Sequence, residues 1–346
     1  MIHLKIRGEN INSRSRILDI YKRLCEGKSI NRFDEAEYFG VNERSIQRDI
    51  DEIRAFLDER AVSEGDMRHI VYDRTQKGFV MTGNEDGLLD NNEILAVSKI
   101  LLASRAFMKS EISSILDKII SGCVPHKNMK LVSQLVSNEK YHYVQPKHGA
   151  EIMEKLWRLG EHIKNKEYVE LSHFRQGETT ENVISRIVEP LAVIFSEYYF
   201  YLLSYTVRDD ENGGYERSHD FPTVFRLDRI VGYKSVGVNF NTSYADRFEE
   251  GEFRKRVQFM YAGELINLKL RYTGKSVDAI LDRLPTAEII GRNYGEWLIK
   301  AEVYGRGILM WLLSQENNVE VIEPVALRNE LKGIISRMGD LYEQAT

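Results

Sequence analysis

Residues 38–57 read YFGVNERSIQRDIDEIRAFL, and this stretch decides the fold of the N-terminal part of the chain. Its apolar residues recur at helical spacing, which predicts a helix with one buried face. These residues are Ile46, Ile50, Ile53 and Leu57. Gly40 is typical of the end of a preceding helix, and Asn42 is a favourable N-cap for the following one. Two helices joined by a tight turn predict a helix-turn-helix.

The opposite face of this helix carries side chains that suit DNA recognition. Arg and Gln can pair with guanine and adenine edges in the major groove, and Ser can bind a base or a phosphate. An amphipathic helix with Arg on its solvent face is also common in proteins that bind no DNA, so a plain surface helix remains an alternative. The candidate DNA-binding residues on this stretch are Asn42, Arg44, Ser45, Gln47 and Arg48.

The neighbouring segments favour the DNA-binding interpretation. Helices are predicted at residues 13–24 and 33–39, and β-strands at residues 69–72 and 78–81. The two strands flank the sequence DRTQKG, which places Arg74 and Lys77 on a hairpin loop. A basic hairpin after a third helix is typical of the wing of a winged helix-turn-helix, so both residues join the candidate DNA-binding set.

Composition limits the class of protein. The chain has 346 residues and is 42% hydrophobic, which permits several domains with cores of their own and excludes general disorder. Cys25 and Cys123 lie in predicted helices with apolar neighbours, so we expect buried thiols in a reducing compartment. The sequence shows no quartet of metal ligands, no signal peptide and no long apolar run, so we expect a cytoplasmic protein without a metal, a cofactor or a membrane partner.

The net charge of −5 weighs mildly against a protein that binds nucleic acid over its whole surface. Residues 1–82 alone carry as many acidic as basic side chains. DNA affinity must therefore come from the local placement of arginines on the recognition helix and the hairpin, doubled by dimerisation.

The middle of the chain changes from helical to strand periodicity. Helices are predicted at 91–107, 110–121 and 126–137, and their apolar character fits either an interdomain or dimer interface or burial within one chain. A further helix is predicted at 148–165. Strands are predicted at 168–174, 181–196, 198–207 and 223–240. Several short strands joined by tight turns predict a small antiparallel barrel or a strongly bent sheet.

The C-terminal pattern after a charged connector is strand, helix, two strands, helix, strand and a final helix. That βαββαβ order predicts a ferredoxin-like α+β module. The chain is thus predicted to be a multidomain α+β protein with five regions. They are a winged helix-turn-helix at 1–85, a helical linker or dimerisation region at 86–165, a β-domain at 166–240, a connector at 241–260 and the C-terminal module at 261–346.

These residues carry a resemblance to a known family. The segment FGVNERSIQRDIDEIRAFL followed by YDRTQKGFVM resembles the winged helix-turn-helix of DeoR-type bacterial regulators. The middle domain looks like a WYL domain through an R-x-V-x-P-L run that begins at Arg186, and through Phe200-Tyr201-Leu202 where the family usually has Trp-Tyr-Leu. The segment WLLSQENNVEVIEPVALRNELKGII is similar to the extension that commonly follows WYL domains.

The resemblance implies a transcription regulator whose WYL domain, an Sm-like barrel, senses a nucleotide or a nucleic-acid fragment. Guanidinium groups bind phosphate in a bidentate manner and stack on bases, and Tyr can stack or donate its hydroxyl. The candidate ligand-binding residues are Ser172, His173, Arg186, Tyr201, Arg226 and Arg229. Strand alternation puts only one of Ser172 and His173 on a given face. Alternatively, Arg226 and Arg229 pair with Asp228 and Glu189 merely to close the barrel.

Three functions are compatible with the sequence. The first is a homodimeric regulator, a repressor of a palindromic operator in double-stranded DNA, switched by a nucleotide or single-stranded nucleic-acid effector. The second is a constitutive repressor that responds to no ligand. The third is an enzyme that acts on a nucleotide, but the sequence has no candidate catalytic residues at a diagnostic spacing, and the acidic run at residues 209–211 reads better as a turn.

Overall fold

The computed structural model describes residues 12–64, 68–82, 89–123, 126–174, 182–211, 213–243, 247–293 and 295–343. The chain divides into two compact units, Met1–Gln145 and Pro146–Thr346. Within the described ranges, helices alternate with three antiparallel sheets, so the prediction of a multidomain α+β protein is confirmed at that level. The finer division into five regions stays a prediction.

The first unit begins with three helices and a hairpin, in the order predicted. They are α1 (Ser13–Cys25), α2 (Arg32–Phe39), α3 (Glu43–Glu64), β1 (His69–Asp73) and β2 (Gly78–Thr82). The four apolar residues that predicted a buried face of α3 are each at most 2% exposed, which confirms that face. They pack with Ile20 and Leu24 of α1 and with Phe79 of β2 in one hydrophobic core.

The hairpin is tied to the chain between α1 and α2. Ile30 and Phe79 exchange both backbone hydrogen bonds, at 2.9 and 2.8 Å. Such close approach leaves no room for a side chain at Gly78, where a Cβ would lie 3.0 Å from the Ile30 carbonyl oxygen. The β1–β2 hairpin is therefore fixed against the helices by backbone contacts as well as by the Phe79 side chain.

Three further helices complete the first unit: α4 (Asn91–Ser104), α5 (Lys109–Cys123) and α6 (His126–Tyr141). A capping box starts α4, in which Asp90 accepts from backbone amides of the first turn and Glu93 accepts from the Asp90 amide. The predicted polar link before α4 falls mostly at residues 83–88, outside the described residues. Each of the three helices buries a stripe of mostly apolar residues along one face.

The second unit opens with α7 (Met153–Asn165), which packs against β3 (Glu167–Phe174) and β4 (Val183–Ser196). The sheet continues with β5 (Tyr199–Asp209), β6 (Tyr215–Arg217), β7 (Thr223–Arg226) and β8 (Ile230–Asn239). Its strand order is β6-β5-β4-β3-β8, and β7 also pairs with β5. The prediction of one strand at 223–240 was wrong, because the 3-10 turn Leu227–Arg229 separates β7 from β8.

This short turn forces the sheet to bend. β7 pairs with β5 and β8 pairs with β3, so in a flat sheet the two strands would lie about 19 Å apart, at roughly 4.8 Å per strand. Three residues in a 3-10 helix advance only about 6 Å. The sheet must therefore curve until its two edges nearly meet, which is the strongly bent form that the sequence predicted.

The chain then passes through α8 (Glu250–Arg256) into the C-terminal part. There β9 (Leu265–Tyr272), α9 (Asp278–Arg283), β10 (Glu288–Asn293), β11 (Glu296–Tyr304), α10 (Gly307–Ser314), β12 (Val319–Glu323) and α11 (Val325–Glu343) follow each other. This confirms the predicted βαββαβ order with an added helix. The four strands are antiparallel in the order β10-β11-β9-β12, and α9 and α10 contribute Ile280 and Trp311 to the core against the sheet.

One expectation about the cysteines was wrong. Cys25 is exposed and Cys123 is half-buried, and both are free thiols. On α1 the buried positions are Arg16, Ile20 and Leu24, four residues apart, so the residue after Leu24 turns about 100° away from the core. Cys25 is exposed despite its apolar neighbours in sequence, because burial in a helix depends on which face a residue occupies.

Candidate nucleic-acid interface and ligand cavity

The turn between α2 and α3 has the geometry that its sequence predicted. Gly40 ends α2 in the left-handed conformation, with a φ of 66°. The Val41 amide donates to the Ala36 carbonyl at 3.0 Å, and the Asn42 side chain accepts from the Ser45 amide at 2.8 Å. The Ser45 hydroxyl also bonds to Asn42, at 3.1 Å. Asn42 and Ser45 are therefore engaged in starting α3.

The outer face of α3 presents the remaining candidate residues. We call Arg44, Ser45, Gln47 and Arg48 the reading surface. Arg44 and Arg48 are exposed, and neither forms an ion pair with a described residue. Unpaired guanidinium groups on the first two turns of a helix with a buried opposite face can reach a phosphate or a base edge.

Gln47 is held in place by its neighbours. Its Oε1 accepts from Arg32 Nη1 at 3.1 Å, and its Nε2 donates to the Asp51 carboxylate at 2.9 Å. Asp51 also accepts from Arg54, at 3.2 Å. The amide therefore has one orientation, while each of its polar atoms keeps the capacity for one more hydrogen bond, as pairing with an adenine requires.

The hairpin loop carries the two basic residues that the sequence singled out. Arg74 and Lys77 are both exposed on the turn between β1 and β2. The Asp73 carboxylate accepts from the amides of Thr75 and Gln76, at 2.7 and 3.1 Å, and these bonds hold the pKa of Asp73 below its usual range. Asn31 Nδ2 donates to the Lys77 carbonyl at 2.8 Å, so this basic loop is fixed to the start of α2.

The second unit contains a cavity of about 460 Å³ that brings most of the predicted ligand-binding residues together. We call it the cation cavity. Five of the six candidates line it: His173, Arg186, Tyr201, Arg226 and Arg229. The described residues that line it include no Asp or Glu. Three guanidinium groups and several aromatic rings suit a ligand that has both an anionic group and a flat ring.

Ser172 does not line this cavity. Its hydroxyl lies 2.6 Å from the Ser185 hydroxyl on the neighbouring strand, and the two residues are register partners in the β3–β4 pair. Because successive side chains of a strand point to opposite faces, only His173 of this pair of neighbours reaches the cavity. Ser185 lines a second, smaller cavity of about 280 Å³, and Arg186 borders both.

Arg226 is the most constrained cation of the cavity. Its Nε and Nη2 donate to the two carboxylate oxygens of Asp228, at 3.0 and 2.8 Å. Its guanidinium carbon lies 3.4 Å from the centroid of the Tyr199 ring. Although burial acts in the opposite direction, the hydrogen bonds to Asp228 and its charge raise the pKa of Arg226. The Nη1 group makes no hydrogen bond to a described residue, so one edge of the guanidinium remains available.

Arg186 and Arg229 are different, because neither forms an ion pair with a described residue. Of the two ion pairs in the alternative interpretation, Arg226 with Asp228 is present, whereas Arg229 does not pair with Glu189. Glu189 is buried and pairs with Arg217, through bonds of 2.9 and 2.6 Å. Two guanidinium groups of the cavity thus have no counterion among the residues that the structure describes.

Burial sets the protonation of the other polar groups in the cavity. It lowers the pKa of His173, and the nearby Arg186 lowers it further, so the imidazole stays neutral at neutral pH. Burial also raises the pKa of Tyr201, which keeps its hydroxyl protonated and able to donate a hydrogen bond. At neutral pH the positive charge of the lining therefore comes from its arginines.

Sequence reasoning missed several residues of the two sites. Phe259, in the predicted connector, and Tyr261, the first residue of the predicted C-terminal module, both line the cation cavity, although neither was named as a candidate. The cavity also depends on Tyr199, which lies two residues from Tyr201 and could have been found from strand alternation. Arg32, whose hydrogen bond orients Gln47, is fifteen residues away on another helix and left no signal in the local pattern.

The sequence matches no protein-family model, and no relative is found among curated proteins. Among solved structures, the chain aligns with proteasome accessory factor B/C (PafBC) of Arthrobacter aurescens, with 16% identity and a TM-score of 0.29. That alignment covers 92% of this chain but 46% of the other, so the chain spans about half the length of that protein.

A second solved structure, described as a CRISPR Cas-related protein, aligns with 12% identity and a TM-score of 0.36. The alignment covers 96% of this chain and 92% of the other. At TM-scores this low, neither alignment decides anything about this chain. Within the described ranges, none of the helices combines the length and apolarity that a bilayer crossing requires.

Proposed function

We propose that this protein is a DNA-binding transcription regulator of the WYL type. The observation that carries the proposal is the reading surface, where two exposed arginines that form no ion pair with a described residue stand on a helix whose opposite face is buried. That helix follows a tight turn and precedes a hairpin with a basic loop. In this proposal residues 12–82 are a winged helix-turn-helix, α3 lies in the major groove and Arg74 and Lys77 bind the flanking phosphates.

The finer architecture belongs to the same proposal. The bent sheet of β3–β8 is an Sm-like WYL barrel, and the β9–α11 segment is a ferredoxin-like WYL extension. The helical region that includes α4–α6 forms the interface of a homodimer. Such a dimer places two copies of α3 about 34–36 Å apart, or a multiple of that distance, so its operator is palindromic.

The ligand in this proposal is a nucleotide or a single-stranded nucleic acid bound in the cation cavity. Arg186 and Arg229, which form no ion pair with a described residue, attract a phosphate, and the Nη1 edge of Arg226 can add a further bond. Tyr201 and the Phe side chains offer stacking partners. The ligand switches repression if it binds one dimer arrangement better than the other, and a coupling of roughly 1–3 kcal/mol is typical.

The DNA-binding part of the proposal is tested by selecting duplexes from a random library with the purified full chain. We expect enrichment of two inverted half-sites about 10 bp apart, centre to centre, or a multiple of that spacing. An Arg44→Ala/Arg48→Ala variant should lose the enrichment. Lys332→Ala, which changes an exposed lysine of α11 outside the proposed dimer interface, should keep it. A monomer that enriches no palindrome would contradict the proposal.

A second candidate function is a constitutive repressor, and one observation favours it. Arg226 is already paired with Asp228, as expected if that cation serves the fold and not a ligand. Operator affinity measured with and without 5′-phosphorylated hexathymidine or a cyclic dinucleotide separates the two functions. A shift that disappears in Arg226→Ala supports the ligand-switched regulator, whereas an affinity that none of these compounds changes supports the constitutive one.

A further inference from the structure

The 3-10 turn Leu227–Arg229 connects the two edges of the bent sheet, and residues at this turn also line the cation cavity. Arg226 is the residue before the turn, Asp228 anchors the Arg226 guanidinium, and Arg229 lines the cavity. Any rotation of this short segment therefore moves the anchor of one arginine and the backbone of another together. What fixes the turn consequently also fixes the spacing of the cavity's cations.

Lys155 of α7 holds this turn from outside the sheet. Its ammonium group donates to the Ile230 carbonyl at 2.6 Å and to the Leu227 carbonyl at 3.3 Å. These two carbonyls lie at the two ends of the turn, so one side chain bridges it. Because α7 packs along β3 and β4, the lysine is attached to a rigid element of the same unit.

The surroundings of Lys155 are unusual for a lysine. Burial lowers the pKa of Lys155, and the Asp228 carboxylate opposes that change. A buried ammonium group is destabilising unless its hydrogen bonds and a nearby negative charge compensate for the lost hydration. The two carbonyl acceptors and the Asp228 carboxylate supply that compensation. The Lys155 ammonium group is therefore bound to the turn and does not simply extend into solvent.

We infer that Lys155 is a positioning residue for the cation cavity: by bridging the Leu227 and Ile230 carbonyls it holds Arg226 and Arg229 in register for one anionic ligand. Lys155 does not line the cavity and touches no ligand itself. The inference rests on the proposed function only in taking the ligand to be an anion. The fixing of the turn is a property of the unliganded protein.

The test compares three variants of the full chain. Lys155→Met keeps the length of the side chain but removes its donors, and Lys155→Arg keeps a charged donor. Lys164→Met is the matched control, because Lys164 is an exposed lysine of the same helix that forms no ion pair with a described residue. Hydrogen exchange reports on the amides of residues 227–231, and calorimetry measures the affinity for 5′-phosphorylated hexathymidine and for inorganic pyrophosphate.

In Lys155→Met we expect the turn amides to exchange at least about tenfold faster, while those of β9–β12 are unchanged. The dissociation constant for a probe that binds the unmodified chain should rise by about tenfold, as for a mispositioned charged hydrogen bond. Lys155→Arg should restore most of both quantities, and Lys164→Met should alter neither.

Two results would overturn the inference. One is unchanged exchange of the turn in Lys155→Met, and the other is faster exchange with an unaltered affinity, which would make Lys155 a purely structural contact. Failure of the proposed function looks different, because the unmodified chain would then bind neither probe. In that case the exchange data alone decide whether Lys155 fixes the turn.

Discussion

The reading surface and the cation cavity both depend on arginines, but they hold them in different ways. On α3 the exposed Arg44 and Arg48 form no ion pair with a described residue, and a buried ion pair lies behind them, where Arg16 donates to Asp49 at 2.5 and 3.0 Å. In the cavity the paired residue, Arg226, is itself part of the lining. In the first unit, different arginines would therefore serve stability and DNA recognition. In the second unit, Arg226 would serve both stability and ligand recognition.

The comparison predicts where substitutions act. Exposed arginines on flexible side chains give an attraction that salt screens and that tolerates small displacements. A stacked and paired arginine is preorganised, so it binds with less loss of conformational freedom but depends on its anchor. We therefore expect a substitution in the buried Arg16–Asp49 pair to lower the stability of the first unit without changing its DNA specificity. A substitution of Arg226 should lower both the stability of the second unit and its ligand affinity.

The largest effect should come from Arg16→Met, which leaves the Asp49 carboxylate buried without its partner. We expect the free energy of unfolding of the first unit to fall by about 3–5 kcal/mol. Urea unfolding followed by circular dichroism measures it. The control is Arg14→Met, which changes an exposed arginine of the same helix and should stay within about 0.5 kcal/mol. If the Arg16→Met variant folds but prefers a different operator, the expectation that this ion pair serves stability alone is wrong.

The next effect concerns Arg226→Met, where the lost charge-assisted bond should weaken ligand binding by about 1.5–3 kcal/mol. The unpaired Asp228 carboxylate, 6% exposed, should also destabilise the second unit. Calorimetry and thermal unfolding measure the two quantities. Arg292→Met is a matched control, because Arg292 also stacks on an aromatic ring, that of Trp297, but does not line the cavity. A loss of stability without a loss of affinity would assign Arg226 to the fold alone.

Arg48→Ala should produce a smaller and more selective effect, a loss of about 1–3 kcal/mol confined to one base pair of the operator. Quantitative binding to a set of single-base operator variants measures it, with Lys332→Ala as the control. An equal loss on every sequence would instead make Arg48 a phosphate contact. In that case the slope of log affinity against log salt should fall by about one.

The smallest effect involves the pH dependence of the cavity. His173 has a lowered pKa, so the unfolded chain takes up its proton first, near pH 6.5, and the histidine reduces the stability of the second unit as the pH falls below that value. A bound anion favours the imidazolium, so ligand affinity should rise by less than about tenfold between pH 7.5 and 5.5. Arg186→Met should raise the pKa of His173 in an NMR titration, and His173→Gln should abolish the pH dependence. Affinity that falls with acidification would contradict the assignment.

Local patterns predicted the elements of this chain well. The spacing of Ile46, Ile50, Ile53 and Leu57 predicted the buried face of α3, and Gly40 and Asn42 predicted the turn before it. These features depend on residues within one or two helical turns, where spacing determines the face. The 3-10 turn was missed for the converse reason, because apolar residues recur on both sides of it, at Leu227 and Ile230, although the chain turns there.

The sequence named five residues that line the cation cavity, but it did not predict the contacts that hold them in place. Five cavity residues came from the resemblance and from strand alternation. The contacts that organise them join distant parts of the chain: Lys155 is 72 residues from Leu227, and Arg217 is 28 from Glu189. No periodicity records such pairs, because tertiary packing alone brings them together.

The three-residue connection between β7 and β8 has a consequence for how this chain can change over evolutionary time. Surface connections usually accept added or deleted residues, because their length is independent of the elements they join. Here the length of the connection sets how far the sheet must curve, so one added residue would alter the whole domain. Descendants of this sequence should therefore vary in which residues occupy positions 227–229 but keep their number.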